Sequence, residues 1–389
     1  MTTLLLILVS IVLLPIIIFS LEIIFSLLPQ RQINSANDNT APTFVVLIPA
    51  HNESGTIEHT LENINNQLPE GGHVLVVADN CSDDTAVVAK THNAEVIERT
   101  NVQERGKGFA LDFGIKHLVS DKPDVVIVVD ADCLLDEGVL QKLISTAAEY
   151  NRPIQALYMM HYNSPSLTQR ISEFAWLVKN KVRPLGLSNM GLPCQLMGTG
   201  MAFPWSVIST ASLASSNIVE DMKMGLDMAL VGNAPLFLPD ARIVSTFPDE
   251  LLAEKSQRKR WEHGHLTMIF TVLPKMLATS IVKLSRALLA MTLDLIVPPL
   301  ALLSFFTIIL FIASYSMWLL NGESTVFTLS LASLLMLVLS VFIAWLRWGR
   351  SAISFTDLLM VPIYIISKIP LYIAAIFKRQ KEWIRTNRD

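Results

Sequence analysis

The stretch Val125-Val126-Ile127-Val128-Val129-Asp130-Ala131-Asp132, residues 125–132, decides the fold. Its consecutive β-branched residues suit an extended strand, and the absence of polar alternation means that both faces of the strand are covered. Strands of that kind sit in mainly parallel sheets with helices on either side. Working outward, similar short runs occur at Phe44 to Ile48, Val74 to Ala78 and Glu95 to Ile97, interleaved with helical patterns near residues 55–67, 83–90, 106–118 and 137–149. The alternation predicts an α/β domain over residues 43–262 with a mainly parallel sheet. The chain contains no internal repeat or low-complexity tract.

Open α/β sheets bind ligands beyond the carboxyl ends of their strands, so the polar residues behind each apolar run carry the chemistry. Pro49-Ala50-His51-Asn52-Glu53 follows the first run, Asp79-Asn80-Cys81-Ser82-Asp83-Asp84 the second and Asp130-Ala131-Asp132 the fourth. Three carboxylate-rich ends on one sheet edge repel each other unless a cation joins them. Asp and Asn also form turns and N-caps, and that is the reading for Asp83 and Asp84. Asp130 and Asp132, directly behind a buried strand, instead offer oxygens to a hard divalent ion, Mg²⁺ or Mn²⁺, whose other ligands are water and a diphosphate. Such an ion neutralises charge on a departing nucleoside diphosphate, so a nucleotide-activated substrate is expected. Arg105-Gly106-Lys107-Gly108 opens a helix and supplies backbone N–H groups and a cation to a phosphate neighbour, without P-loop or dinucleotide spacing.

The composition explains how this domain is housed. Lys+Arg number 30 against 34 Asp+Glu, a net charge of −4 over 389 residues, which offers no basic stripe for nucleic acid. Hydrophobic residues make up 51% and charged residues only 16%, where a soluble domain carries about a quarter charged; a wholly soluble chain and a disordered one are both excluded. The apolar excess lies in two places. Leu4 to Leu28 is interrupted only by Ser10, Ser20, Ser26 and the lone charge Glu22, and exceeds the roughly 30 Å needed to cross a bilayer. With no basic residue before it, it reads as an uncleaved anchor over residues 1–30 rather than a signal peptide. Arg31 then places the following domain in the cytoplasm, behind a polar linker at 31–42.

The second apolar mass, Ala287 to Phe377, contains only the charges Asp294, Glu323, Arg347, Arg350, Asp357 and Lys368. Leu295 to Leu320 and Ser324 to Leu346 read as a transmembrane hairpin within residues 287–347, its Asn321-Gly322-Glu323 turn outside. Residues 263–286 read as an interfacial amphipathic segment. Residues 348–389 read as interfacial helices with a basic cytoplasmic tail, Lys378 to Arg385, because a fourth span would carry that tail outside. Cys81, Cys133 and Cys194 have no ligand-like spacing and read as packing residues in a reducing compartment. His263 and His265 are not read as metal ligands, and His51 and His59 are read as loop and helix-surface residues.

The ordered set Pro49-Ala50-His51-Asn52-Glu53, Asp79 in its Asp-Asn-x-Ser-x-Asp turn, Lys107-Gly108, Asp130-x-Asp132, Gly198-Thr199-Gly200, Glu220-Asp221 and Gln257-x-x-Arg260-Trp261 resembles the family 2 glycosyltransferases. The similarity covers residues 44 to 261 and is nearest to the membrane-bound subset of cellulose, chitin and hyaluronan synthases and bacterial exopolysaccharide transferases. The resemblance implies a GT-A fold and a reaction that inverts the anomeric centre. It implies that Pro49, Glu53 and Asp79 lie at the nucleoside, Lys107 near the nucleotide, and Asp130 and Asp132 at the metal, the second as its usual ligand. Asp221, with Glu220 beside it, is similar to the general base. Gln257, Arg260 and Trp261 resemble the motif that holds the diphosphate and acceptor sugar, and Gly198, Thr199 and Gly200 line the acceptor side.

Elementary chemistry agrees with this assignment. Inversion needs one base for the acceptor hydroxyl and cationic stabilisation of the leaving diphosphate. Glu220 and Asp221 head a helical pattern from Met222 to Val231, where the helix N-terminus weakens a base and burial beside a second acid strengthens it; the second effect is expected to dominate. First-turn acids also stabilise a helix, and Trp261 after Arg260 also suits a membrane interface. The family's polymerising synthases thread product through several transmembrane helices, whereas three spans are expected here. Addition of one sugar to a lipid-linked acceptor at a bacterial inner membrane is therefore the first expectation, with processive synthesis as the alternative and polysaccharide-assembly proteins as candidate partners. UDP is the family's usual nucleotide, with guanosine also possible. A nucleotidyltransferase would need neither Glu220-Asp221 nor Gln257-x-x-Arg260-Trp261, and a noncatalytic nucleotide-binding scaffold would not need its acids intact.

Overall fold

The computed structural model describes residues 2–31, 42–215, 217–248, 251–322 and 324–366. The linker expected at 31–42 and the tail within 348–389 fall mostly outside these residues. The described residues divide into two compact units, one holding residues 42–161 and 192–257 and the other residues 2–30, 162–191 and 258–366.

The first unit is built on an eight-stranded sheet. Its strands are β1 (Phe44–Ala50), β2 (Gly72–Asp79), β3 (Glu95–Arg99), β4 (Val125–Val128), β5 (Leu134–Leu135), β6 (Ile154–His161), β7 (Met201–Pro204) and β8 (Leu236–Thr246). They lie in the order β3-β2-β1-β4-β7-β6-β8-β5. β3, β2, β1 and β4 are parallel, as the β-branched runs predict, and β7 pairs antiparallel with both β4 and β6. Every residue of β4 is buried. The helices Ile57–Asn65, Thr85–Thr91, Lys107–His117 and Val139–Tyr150 fall where the periodicity puts them. Leu111 and Ile115 pack on Leu47, Val77, Val126 and Phe203 in the core beneath the sheet.

Two consequences of this topology prepare the site. The order reverses between β1 and β4, with β2 and β3 on one side and β4 on the other, so a crevice opens at their carboxyl ends. β7 runs the opposite way, which brings the loop before it, Gly198-Thr199-Gly200, to the same edge.

The second unit contains the apolar helices. Thr2–Ser26, Leu300–Asn321 and Ser324–Gly349 are each long and apolar enough to cross a membrane. The apolar helix expected to start at Leu295 starts instead at Leu300. Val297-Pro298-Pro299 breaks it, because proline lacks the N–H donor and forces an extended conformation on the residue before it; Val297 has ψ 104°. The residues ahead of the break form a separate helix, Arg286–Ile296. Ala253–Thr271 and Leu273–Val282 together have the apolar length of a further span but are bent by 47°, in the region expected to be an interfacial segment.

The lone charge of the first apolar helix is partnered within this unit. Arg183 Nε donates to Glu22 Oε2 at 2.5 Å, and Arg183 Nη2 donates to Asp294 Oδ1 at 2.6 Å. All three residues are buried. Gly186, one turn on, lies where a Cβ would collide with the Glu22 carbonyl, so the helix bearing Arg183 packs directly against the helix Thr2–Ser26.

Candidate active site

The site grows from the carboxyl end of β4. Asp130 donates its N–H to Thr199 Oγ1 at 3.0 Å, and Gly200 donates its N–H to the Val128 carbonyl at 2.9 Å, which fastens the 198–200 loop across the strand end. Gly198 and Gly200 have φ of 95° and 65°, values that favour glycine. Gln155, fully buried in the apolar run of β6, holds the same loop from the other side. Its Nε2 donates to the Thr199 carbonyl at 2.9 Å, and its Oε1 accepts the Met197 N–H at 2.8 Å.

Lys107 reaches this loop from the first turn of its helix. Its Nζ donates to the Gly198 carbonyl at 2.8 Å and forms an ion pair with Asp130. Glu220 and Asp221 open the helix Glu220–Leu230 on the far side of Gly198. A Cβ on Gly198 would lie 3.4 Å from Asp221 Oδ2 and 3.9 Å from Lys107 Nζ, in ordinary contact with both, so the lysine and the acid face each other across this glycine. Lys107, Asp130, Gly198, Thr199, Glu220 and Asp221 thus form one cluster, and a small cavity reaches it between Lys107, Ser212, Ser215 and Asp227.

The charges in this cluster act on one another. Burial alone would push the Lys107 ammonium down; the carboxylates of Asp130, Glu220 and Asp221 outweigh it and hold Lys107 above its ordinary range. Burial first, and the Asp221 carboxylate second, push Glu220 up to about 7. The two adjacent acids therefore retain one proton until near neutrality.

Asp132 stands two residues beyond Asp130, with Oδ2 accepting from the Ser245 hydroxyl at 2.9 Å. Ligand atoms of Asp130, Asp132 and Cys133 lie within 4.8 Å of one another. Burial, then the Asp130 charge, raise the Cys133 thiol far above its ordinary range. The two carboxylates beside it are a donor set that fits a hard cation such as Mg²⁺ or Mn²⁺, for which a thiol is the softer and less suited ligand.

Two further strand ends complete the edge. The register of β2 against β3 sets Asp79 opposite Arg99. Arg99 Nη1 and Asn80 Nδ2 both donate to Asp79 Oδ1, at 2.7 and 2.9 Å. The turn after β1 locks onto the turn after β2: His51 Nδ1 lies 2.6 Å from the Asp79 carbonyl, and Asn52 Oδ1 accepts the Ser82 N–H at 2.7 Å. Asn52 and Asn80 take the positive φ these turns need, 56° and 52°. Glu53 donates its N–H to Thr85 Oγ1 at 2.8 Å, and its carboxylate accepts from Thr56 Oγ1 at 2.9 Å; Pro49 is half-buried within β1. Asp83 accepts from the backbone N–H groups of Ser54 and Thr85, both at 3.1 Å, so it is a turn former.

Gln257, Arg260 and Trp261 lie on one helix, Leu251–Thr271, at i, i+3 and i+4, the spacing of a single helix face. The division between the two units falls after Gln257. Gln257 is buried. Within the second unit, Trp261 packs on Trp176 with ring centroids 4.9 Å apart, and Arg258 donates to the hydroxyls of Ser172 and Tyr364 at 2.7 and 2.8 Å. Arg99, Gln155 and Ser245 are site residues outside the sequence expectations. An amide inside an apolar strand and a hydroxyl behind Ile243-Val244 are the sequence signals that mark Gln155 and Ser245, whereas Arg99 is placed only by the β2–β3 register.

Comparison with known proteins bears on this arrangement. A family model described as glycosyltransferase like family 2 matches residues 41–264. The poly-beta-1,6-N-acetyl-D-glucosamine synthase of Staphylococcus aureus is 28% identical over 259 residues, covering 63% of this chain and 59% of the synthase. An uncharacterized glycosyltransferase of Mycobacterium tuberculosis is 39% identical over 101 residues, 26% of this chain and 41% of the other. The chain thus spans 41% to 59% of the length of these curated relatives. Among solved structures, a mannosyltransferase from Pyrobaculum calidifontis, in complex with GDP-Man and Mn²⁺, aligns with a TM-score of 0.56 at 15% identity, covering 96% of this chain and 100% of that one. At that identity the likeness concerns the fold, which is of the GT-A type. A sheet of this connectivity, under a family match that takes in more than half of the chain, makes the protein a member of glycosyltransferase family 2.

Proposed function

We propose that the chain transfers a glycosyl residue from a nucleoside-diphosphate sugar, a UDP-sugar in the first instance, to a lipid-linked or growing saccharide acceptor, with inversion at the anomeric carbon. The observation that carries this reading is the cluster in which Lys107 joins Asp130 to the Gly198 carbonyl with Glu220 and Asp221 beside it. It sets a base and a cation beside Asp130, and with Asp132 two residues on this is the set that in-line displacement of a diphosphate requires.

In this reading Asp221 takes the proton of the acceptor hydroxyl, and Glu220 sets the charge beside it. Lys107 holds a phosphate and orients Asp130. Glu53 and Asp79, with Pro49 behind them, receive the nucleoside, and Gly198, Thr199 and Gly200 border the acceptor. Gln257, Arg260 and Trp261 hold the diphosphate and the acceptor sugar. Asp132 and Asp130 would hold Mg²⁺ or Mn²⁺, which when bound supplies positive charge to the leaving diphosphate.

The apolar helices and the basic residues flanking them support a multi-pass protein of a bacterial inner membrane with its catalytic unit in the cytoplasm, where membrane lipids and polysaccharide-assembly proteins are the expected neighbours. The likeness to a polysaccharide synthase over 63% of the chain favours a second reading, in which the product is extended processively. A panel of nucleotide sugars, incubated with and without Mg²⁺ or Mn²⁺, tests donor and metal together. Transfer that needs neither metal nor a nucleotide sugar would refute the proposal, and a ladder of products rather than one addition would select the processive form.

A further inference from the structure

The contact that Ser245 makes with Asp132 extends further into the sheet. Ser245 lies near the carboxyl end of β8, buried, and its hydroxyl reaches Asp132 Oδ2 at 2.9 Å. β6 runs parallel to β8, with Met160 as the register partner of Ser245. Tyr158, two residues before Met160, points to the same side of the sheet, and its side chain hydrogen-bonds Ser245. Tyr158 is itself buried, with a relative exposure of 6%.

A serine hydroxyl has one proton and two lone pairs, and an ionised carboxylate only accepts. Ser245 therefore gives its proton to Asp132 Oδ2, and the Tyr158 phenol, hydrogen-bonded to the same hydroxyl, braces it from β6. The two strands together restrict how the Asp132 carboxylate can turn.

We propose that Tyr158 and Ser245 are positioning residues for a divalent cation, acting through Asp132 and setting the affinity and choice of metal. Residues that orient a metal ligand from behind are worth 10–100-fold in affinity when removed. The inference rests on the reading that Asp132 binds the cation, and it adds residues from strands that carry no acid of the motif.

The test uses the full-length protein in detergent with Mn²⁺ as the probe, free Mn²⁺ being read by its electron paramagnetic resonance signal in the presence of UDP. Ser245→Ala should weaken Mn²⁺ binding about tenfold or more with the thermal midpoint near that of the parent, and Ser245→Thr, which keeps the hydroxyl, should restore it. Tyr158→Phe should weaken binding in the parent and have no further effect when Ser245 is already alanine, because the two act in series. Unchanged Mn²⁺ affinity in Ser245→Ala, while Asp132→Ala abolishes binding, would overturn the positioning role alone. Unchanged affinity in Asp132→Ala would overturn the metal reading together with it. Additive effects of the two substitutions would overturn the series arrangement.

Discussion

Glu220 carries a prediction that joins the site to the stability of the fold. Its carboxyl is raised from 4.5 to about 7 by burial first and by Asp221 second. A rise of that size corresponds to about 3 kcal/mol of tighter proton binding in the folded state. Partial exposure of the side chain and sharing of the proton with Asp221 bring the recoverable share to about 1–2 kcal/mol. A group whose folded pKa lies above its unfolded value contributes fully below the unfolded value and loses that contribution as pH rises through the folded one. The window is therefore about pH 4.5 to 7, and above it the folded protein carries an additional buried negative charge. Glu220→Gln removes that charge. At pH 8 the variant should unfold at a midpoint about 2–6 °C above the parent, and at about pH 4, below both pKa values, the two midpoints should converge. Thermal unfolding in detergent, followed by tryptophan fluorescence at the two pH values, makes the comparison. A lower midpoint for Glu220→Gln at pH 8, or an equal shift at both pH values, would refute the reasoning. The first result would mean that Lys107 stabilises ionised Glu220 by more than burial disfavours it, and the second that the effect of the substitution does not come from ionisation.

Three other substitutions test separate parts of the structure. Asp221→Asn should reduce transfer by about 10²–10⁴-fold while nucleotide binding, measured by calorimetry, is retained; undiminished turnover would remove Asp221 from the base role. Gly200→Ala should destabilise the first unit by about 1–3 kcal/mol, since φ is 65° and a Cβ would lie 2.6 Å from Ile243 Cδ1, and a thermal midpoint equal to the parent's would contradict this. Arg183→Gln leaves Glu22 and Asp294 buried without their cation and should cost about 3–5 kcal/mol, read as loss of monodisperse protein after detergent extraction.

The sequence shows the parallel half of the sheet plainly because Val125 to Val128 and its neighbours are apolar on both faces, and tertiary context has nothing to override. The other half is harder. β5 is only Leu134–Leu135, and β7 is Met201–Pro204; both exist because a neighbour offers hydrogen bonds, and their own residues have no strand period. The Asp130 and Asp132 pair is legible from its place behind a buried strand. That Lys107 meets Asp130 over Gly198 is not, since it depends on an antiparallel strand arriving from a distant part of the chain. Asp79 shows the same limit: its residue type announces a polar strand end, yet its partner Arg99 is fixed only by the β2–β3 register. In the apolar regions, hydropathy locates the helices, whereas Pro298 and Pro299 decide where Leu300–Asn321 begins.

The triad of Glu22, Arg183 and Asp294 also ties together segments that are 161 and 111 residues apart in the chain. It can close only once Asp294 has been synthesised, so for most of synthesis the Glu22 carboxyl lacks the cation that the folded unit gives it. An unrelated apolar helix in place of Thr2–Ser26 could match its length and hydropathy and would still leave the arginine and the second acid without the partner that completes the cluster.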